Sequence, residues 1–393
     1  MCDGANLLTC DGQGNITSTM PCALGCQAAE QRCRKVDPSN GLAGALDDAA
    51  GATELVLSGT TTIDTDAGTI VDATGARSPL TQTLTAGLPV ALFVIKARSI
   101  TAGPINVVGT RALALVADGT ITFNGTVSVD AARDVPGPGA ITNQVACQGG
   151  AGGAGTTDGY PGGGGGGFGT AGGQGGAAVG QLGGTGGSVV GNVELVPLRG
   201  GCSGGGGKAG TLDADPALSD PGGGGGALQV VSNTSIVVGS SAFLSANGAG
   251  GKGYTGSMNI FCSTTAPCGI GEGAGSGGAI LLEAPTIAFD ATAGVVANGG
   301  AGSCATTGSA PAGGLNNTPA PGPVCGGDTG KGGNGGAGST AATNGGDGIN
   351  DDPVGGGGGG GTGRIRVNLP SGVQFQTTAV VSPPASVGVL GTR

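Results

Sequence analysis

The side chains best suited to chemistry in this chain are acidic, and few of them are clustered. Asn350-Asp351-Asp352, followed by Arg364-Ile365-Arg366, sets paired carboxylates near basic residues. Two carboxylates flanking a glycosidic bond can protonate the leaving oxygen and activate water. The chain has no histidine, the commonest general acid and base at neutral pH. Asp351-Asp352-Pro353 therefore reads as a solvated turn ahead of Gly355, and no enzymatic activity, catalytic residue or cofactor is expected.

Binding motifs are equally sparse. Gly345-Gly346-Asp347-Gly348-Ile349-Asn350 overlaps the glycine-rich nonapeptide of calcium-binding repeats, with Asn in place of Asp. Asp347, Asn350 and Asp351 are the calcium candidates, but one imperfect copy lacks the tandem partners that build paired half-sites, so no metal is expected. Asp64 and Asp66 read as outward-facing strand residues. Gly204-Gly205-Gly206-Gly207-Lys208 lacks the Ser or Thr of a phosphate loop, since Ala209 follows the lysine. Thr60-Thr61-Thr62 and Thr120-Ile121-Thr122 hint at an ice-binding threonine column, broken where Ser235-Ile236-Val237 and Thr286-Ile287-Ala288 take the same place. Tyr160 and Tyr254, the two tyrosines available for sugar stacking, both lie in glycine-rich sequence.

Cysteine is more informative. Eleven cysteines with no histidine and no C-x2-C spacing point to disulfides rather than zinc, and so to an oxidising compartment, secreted or at the outer cell surface. Cys2, Cys10, Cys22, Cys26 and Cys33 fall within residues 1–35, a segment too small to hold a core without bridges. Their odd number implies a sixth cysteine upstream, with one thiol left unpaired or bonded to the main body. Cys147, Cys202, Cys262, Cys268, Cys304 and Cys325 lie in or beside glycine-rich stretches. The expected pairs are Cys147 with Cys202, Cys262 with Cys268 and Cys304 with Cys325, although six cysteines permit 15 connectivities. Because Met1 is followed at once by Cys2-Asp3-Gly4, the chain reads as a mature or trimmed form, and a competing reading makes Cys2 a lipid-attached residue.

Composition excludes several partners. The formal net charge is −10, and no basic cluster extends beyond residues 32–35, so nucleic acid and anionic membranes are not expected partners. Without an apolar run of about 20 residues, membrane insertion is not expected either. Ninety-four glycines with no Trp, 2 Tyr and 7 Phe argue against a conventional sandwich or doubly wound domain. They also raise the prospect of disorder, but charged residues make up only 10% and apolar runs such as Leu92-Phe93-Val94-Ile95 favour collapse.

An internal repeat organises those runs. Ala112-Leu113-Ala114-Leu115-Val116-Ala117 aligns with Ala227-Leu228-Gln229-Val230-Val231-Ser232 and with Ala279-Ile280-Leu281-Leu282-Glu283-Ala284; each is followed by an isoleucine, at 121, 236 and 287. Ala246-Asn247-Gly248 and Ala297-Asn298-Gly299 recur further on, and a copy from Leu92 precedes the one from Leu113 by 21 residues. Repeats of that length that cannot bury a face alone must stack. The expected fold is all-β, a right-handed parallel β-helix with glycine-rich, polyproline-II-like insertions. Residues 1–35 form a small disulfide module, residues 36–369 the β-helix with excursions at about 136–225, 247–278 and 298–361, and residues 370–393 a tail.

Gly277-Gly278-Ala279-Ile280-Leu281-Leu282-Glu283-Ala284, continuing to Ala297-Asn298-Gly299-Gly300-Ala301-Gly302, resembles glycine-rich secreted proteins of myxobacteria and related bacteria, and the cysteine module is similar to one that precedes such regions. The Gly-Gly-Ala-Gly and Gly-Gly-Asn-Gly-Gly texture is more distantly similar to the PGRS segments of mycobacterial surface proteins and to the glycine-rich domain of anaplastic-lymphoma-type receptors. Those resemblances imply packed polyglycine helices beside β-structure; the PE module and the kinase are absent, so neither function carries over. Asn350-Asp351-Asp352 and Arg364-Ile365-Arg366 resemble the signatures of polygalacturonase-like hydrolases, whose histidine motif has no counterpart. The expected function is that of a non-enzymatic extracellular structural or adhesive surface protein contacting glycans, other surface components or copies of itself. The alternative is a carbohydrate-binding module on the same scaffold, ahead of a polysaccharide lyase or hydrolase and an ice-binding protein.

Overall fold

The structure, a computed structural model, describes all 393 residues except 86, 143, 153–158, 208–219, 254–269, 305–309, 326–328 and 349–353. The aligned repeat becomes neighbouring strands. Leu92–Ala97, Ala112–Ala117, Ala227–Ser232, Ala279–Glu283, Arg364–Leu369 and Ser386–Val389 pair in parallel in that order in a seven-stranded sheet, with Leu113 opposite Leu228 and Leu228 opposite Ile280. The isoleucines that follow form a column in a five-stranded sheet, where Ile121 lies between Ile100 and Ile236, and Ile236 beside Ile287. An eight-stranded sheet takes the next short strands, Ile105–Val108, Val127–Ser128, Phe243–Ser245, Gly294–Val296 and Val380–Ser382. Residues 370–393 thus contribute two strands rather than a tail alone.

The right-handed parallel β-helix expected from the repeat is corrected by the pairing: the chain is mostly strand, but its sheets are parallel and mixed, and the described residues show neither a closed barrel nor a solenoid. Leu80–Leu84 runs antiparallel to Leu92–Ala97, and Thr61–Asp64, Thr69–Asp72 and Gly75–Arg77 make two successive antiparallel pairs. Separate antiparallel sheets form in the first 33 residues, and a helix spans Ala43–Ala50. The physical reason is connection length, because a link of a few residues closes only an antiparallel hairpin, while a parallel neighbour needs a long crossover. Asp64 closes the first hairpin by accepting the N–H groups of Asp66 and Ala67, both at 2.9 Å.

Asp72 closes the second. Its carboxylate accepts the Ser58 N–H at 3.0 Å, the Thr74 N–H at 2.8 Å and hydroxyl at 2.7 Å, and pairs with Arg77 at 2.8 Å. The Arg77 guanidinium, then the Ser58 N–H, hold this carboxyl well below the usual carboxylate range. A depressed acid stabilises the fold above its unfolded pKa and loses that contribution as pH falls toward the folded value. Asp72→Asn is therefore expected to flatten the acid limb of the stability profile, read from urea midpoints between about pH 2 and 5; an unchanged slope would contradict this role.

One core gathers the inward residues of all three large sheets, including Phe93, Ile95, Leu115, Phe123, Val230, Ile236, Leu244 and Ile365. The opposite face of the seven-stranded sheet is buried as well: Val94, Ala114, Val116, Val231 and Leu281 pack against Leu42, Leu46 and Ala49 of the helical region and against Phe168, Leu195 and Leu198 of the glycine-rich sequence. Burial on both faces explains why Leu92–Ala97, Ala112–Ala117 and Ala279–Glu283 are nearly continuous apolar runs, whereas the edge strands Leu80–Leu84 and Ser386–Val389 are exposed or half-buried.

The glycine-rich segments pair through their backbones. The N–H groups of Gly355, Gly358 and Gly361 donate to the carbonyls of Tyr160, Gly163 and Gly166; Gly356 and Gly359 donate to Gly346 and Thr343, and Gly357 and Gly360 to Ser303 and Gly300. Each residue addresses a different neighbouring segment, and every third returns to the same one. Residues 162–167 alternate in the same way among 173–176, 271–274 and 147–150. This satisfies buried peptide groups that would otherwise be costly. It also fixes the residue type, since a Cβ on Gly273 or Gly360 would lie under 3.0 Å from the carbonyl oxygen of Gly164 or Gly275.

Candidate functional site

Where the hairpin at residues 64–69 meets the glycine lattice, a cleft of about 680 Å³ opens. One rim is built by Asp66, whose carboxylate accepts the Thr110 N–H and hydroxyl, each at 2.8 Å. Gly109 turns there with φ +103°, a conformation L side chains rarely adopt, and a Cβ would overlap Thr65. Arg111 follows; its guanidinium donates to the Thr65 carbonyl at 2.8 Å and stands 3.7 Å from the Asp66 carboxylate. Pro89, Val90 and Ala91 form the floor beside it.

The other wall is held by a cross-link. Cys147 is bonded to Cys202, and the Ile141 N–H donates to Gly201 at 2.9 Å. Gln144 precedes Cys147 by three residues, Arg199 precedes Cys202 by three, and the Arg199 guanidinium donates to Gln144 Oε1 at 3.2 Å. Among the described residues no carboxylate pairs with Arg199. Burial alone pulls its pKa below the ordinary guanidinium value. The cleft therefore presents hydrogen-bond donors and positive charge, with the one lining carboxylate already engaged.

A smaller cleft of about 270 Å³ is lined by Thr170, Thr340, Thr362, Arg364 and Ser386. Arg364 lies over the Phe168 ring at 5.7 Å and donates to the Val190 carbonyl at 3.3 Å. Burial, then the charge of Arg199, lower its pKa. Arg366 donates to Asn368 Oδ1 at 2.8 Å and to the Val387 carbonyl at 3.1 Å. Both arginines of the Arg-Ile-Arg run thus hold the sheet and its cover, while Asn350, Asp351 and Asp352 lie outside the described residues.

Other sequence candidates have structural tasks. Asp347 accepts the Ala177 N–H at 2.7 Å in the lattice; the remaining calcium candidates, Asn350 and Asp351, lie outside the described residues. Asp64 and Asp66 cap the hairpin and Thr110, as above. Thr101 and Thr122 are adjacent, but Val56, Val237 and Ala288 occupy the rest of that column. The recurring Ala-Asn-Gly is a polar ladder: Asn247 Oδ1 accepts the Asn298 N–H at 2.8 Å, and Asn298 Oδ1 accepts the Ser382 hydroxyl at 2.6 Å. Asp130 begins it by accepting from Ser245 and Asn247, and burial raises its carboxyl above the usual range. Glu283, inside an apolar run, is buried and accepts from Ser39, Gln229 and Asn368.

Among the described residues four disulfides join Cys2 to Cys26, Cys22 to Cys33, Cys147 to Cys202 and Cys304 to Cys325. Cys10 is a free, exposed thiol; Cys262 and Cys268 lie outside the described residues. The bond at Cys2 uses the sulfur that a lipid anchor would need. This many bridges belong to an oxidising environment. Among the described residues no helix is long and apolar enough to cross a membrane, and no group of three or more Cys, Asp or Glu residues is placed to hold a metal ion. Arg111, Gln144 and Arg199 were not singled out by sequence reasoning; the one available signal was the matching three-residue offset of Gln144 and Arg199 from Cys147 and Cys202.

Comparison with protein-family models, curated proteins and solved structures gives no match.

Proposed function

We propose that this chain is a secreted, non-enzymatic component of the outer cell surface, a rigid structural and adhesive body that contacts glycans or copies of itself. The observation that carries the reading is the cross-linked glycine lattice. A long stretch of chain is committed to backbone-to-backbone packing against a sheet, and disulfides within that stretch join Cys147 to Cys202 and Cys304 to Cys325. Such a body resists unfolding and proteolysis outside the cell and presents broad surfaces for repeated weak contacts. Exposed apolar residues on it, Val145 at 87%, Leu182 at 79% and Val324 at 80%, supply adhesive points. Ser386–Val389 ends the seven-stranded sheet with Val387 and Val389 exposed, an edge suited to self-association.

Retention of the oxidised protein on whole bacterial cells and insoluble polysaccharides tests this reading, with light scattering of the unbound fraction. Retention, or large particles in the unbound fraction, is the expected result. A monodisperse monomer that binds neither cells nor polysaccharide contradicts the proposal.

A further inference from the structure

We infer that the cleft between Arg111 and Arg199 binds the carboxylate of an acidic glycan. The inference rests on the surface-contact reading above and gives it a ligand class. The Arg199 guanidinium is partly buried and held by a neutral amide, and no carboxylate among the described residues neutralises it. A guanidinium held by one amide and open to the cleft keeps donors free for an incoming anion. Partial burial, which lowers the Arg199 pKa, weakens competition from water. Arg111 lines the same cleft with its charge shared by the Asp66 carboxylate at 3.7 Å, which also accepts from Thr110, so Arg199 is the cleft's uncompensated cation.

The rest of the lining selects the carrier of that anion. Thr142 brings a hydroxyl and Gln144 an amide, while Pro89, Val135 and Pro136 bring flat apolar faces, with Val135 59% exposed. A sugar ring alternates hydroxyls with C–H faces and matches this mixture. With a formal net charge of −10, the chain as a whole repels densely charged polyanions, so the fitting ligand carries sparse charge, one carboxylate to a ring. The disulfide between Cys147 and Cys202 fixes Gln144 and Arg199 relative to one another, which lowers the ordering cost of binding.

The test is calorimetric titration with oligogalacturonate, its fully methyl-esterified form and poly-glutamate, alongside cell retention. Wild type is expected to bind oligogalacturonate at least about tenfold more tightly than the ester or the polypeptide, and Arg199→Gln to lose about tenfold or more of that affinity. Gln144→Glu sets a carboxylate against Arg199 and is expected to abolish binding without lowering the thermal midpoint, so a folding defect is not mistaken for a lost site. Equal binding of acid and ester, equal or tighter binding of poly-glutamate, or unchanged affinity in both variants would overturn the assignment. Cell retention without oligogalacturonate binding likewise overturns the cleft but leaves the surface function standing; oligogalacturonate binding by a monodisperse monomer retained on neither cells nor insoluble polysaccharide sinks the surface function and leaves the cleft.

Discussion

Gly273→Ala is expected to destabilise the protein by about 3 kcal/mol or more, whereas Gly44→Ala is expected to stabilise it by about 1 kcal/mol. The two substitutions add the same methyl group. At Gly273 the Cβ would strike the Gly164 carbonyl oxygen and Gly205, in a segment whose N–H groups address three neighbours in turn. Backbone is on the receiving side, so no side chain can rotate away, and relief requires segments to separate and bonds to break. Gly44 lies in the helix Ala43–Ala50 with nothing within 4 Å of a Cβ, and alanine there restricts the unfolded chain and favours the helix. Urea unfolding of the oxidised proteins checks both. Equal, small effects would mean that the glycine segments are not packed through their backbones.

Replacing Cys147 and Cys202 together by alanine is expected to cost about 4 kcal/mol, because the bond closes a loop of 55 residues in the unfolded chain. Most of that loop is glycine-rich and gains the most freedom when released. The backbone bonds at both ends survive the substitution, the Cys147 carbonyl accepting the Gly167 N–H and the Cys202 carbonyl the Ser276 N–H, so the cost falls chiefly through the unfolded chain. By comparison, joining Cys22 to Cys33 closes 11 residues and contributes less. Denaturant midpoints for the two double-alanine variants should fall in that order, and the first variant should also lose the Arg199-dependent affinity for oligogalacturonate. A larger effect at Cys22 and Cys33 would contradict the account.

The strands were legible wherever the sequence repeats itself. Aligning Leu113, Leu228 and Ile280 reads the register directly, and the isoleucines at 121, 236 and 287 read the next sheet. The fold class was not legible, because Thr61–Asp64, Thr69–Asp72 and Gly75–Arg77, and then Leu80–Leu84 and Leu92–Ala97, are joined by links of a few residues that close as antiparallel hairpins, whatever the longer repeat suggests. The polar residues inside apolar runs gave no warning of their partners. Gln229 and Glu283 meet each other and Ser39, some 190 and 244 residues away in the chain, since the seven-stranded sheet is covered on both faces. The cleft was out of reach for the same reason: Asp66, Arg111, Gln144 and Arg199 come from four separate segments, and no local pattern marks their meeting.

Native-state hydrogen exchange at the amides of Gly163, Gly273 and Gly358 tests most directly whether the glycine-rich sequence is the cross-linked body on which the proposed function depends. These amides donate to Gly271, Gly205 and Gly163. They are expected to exchange only through global unfolding, as slowly as those of Leu115 and Val230 in the sheet. Exchange at the rate of open peptide, with the sheet still protected, would contradict a cross-linked body.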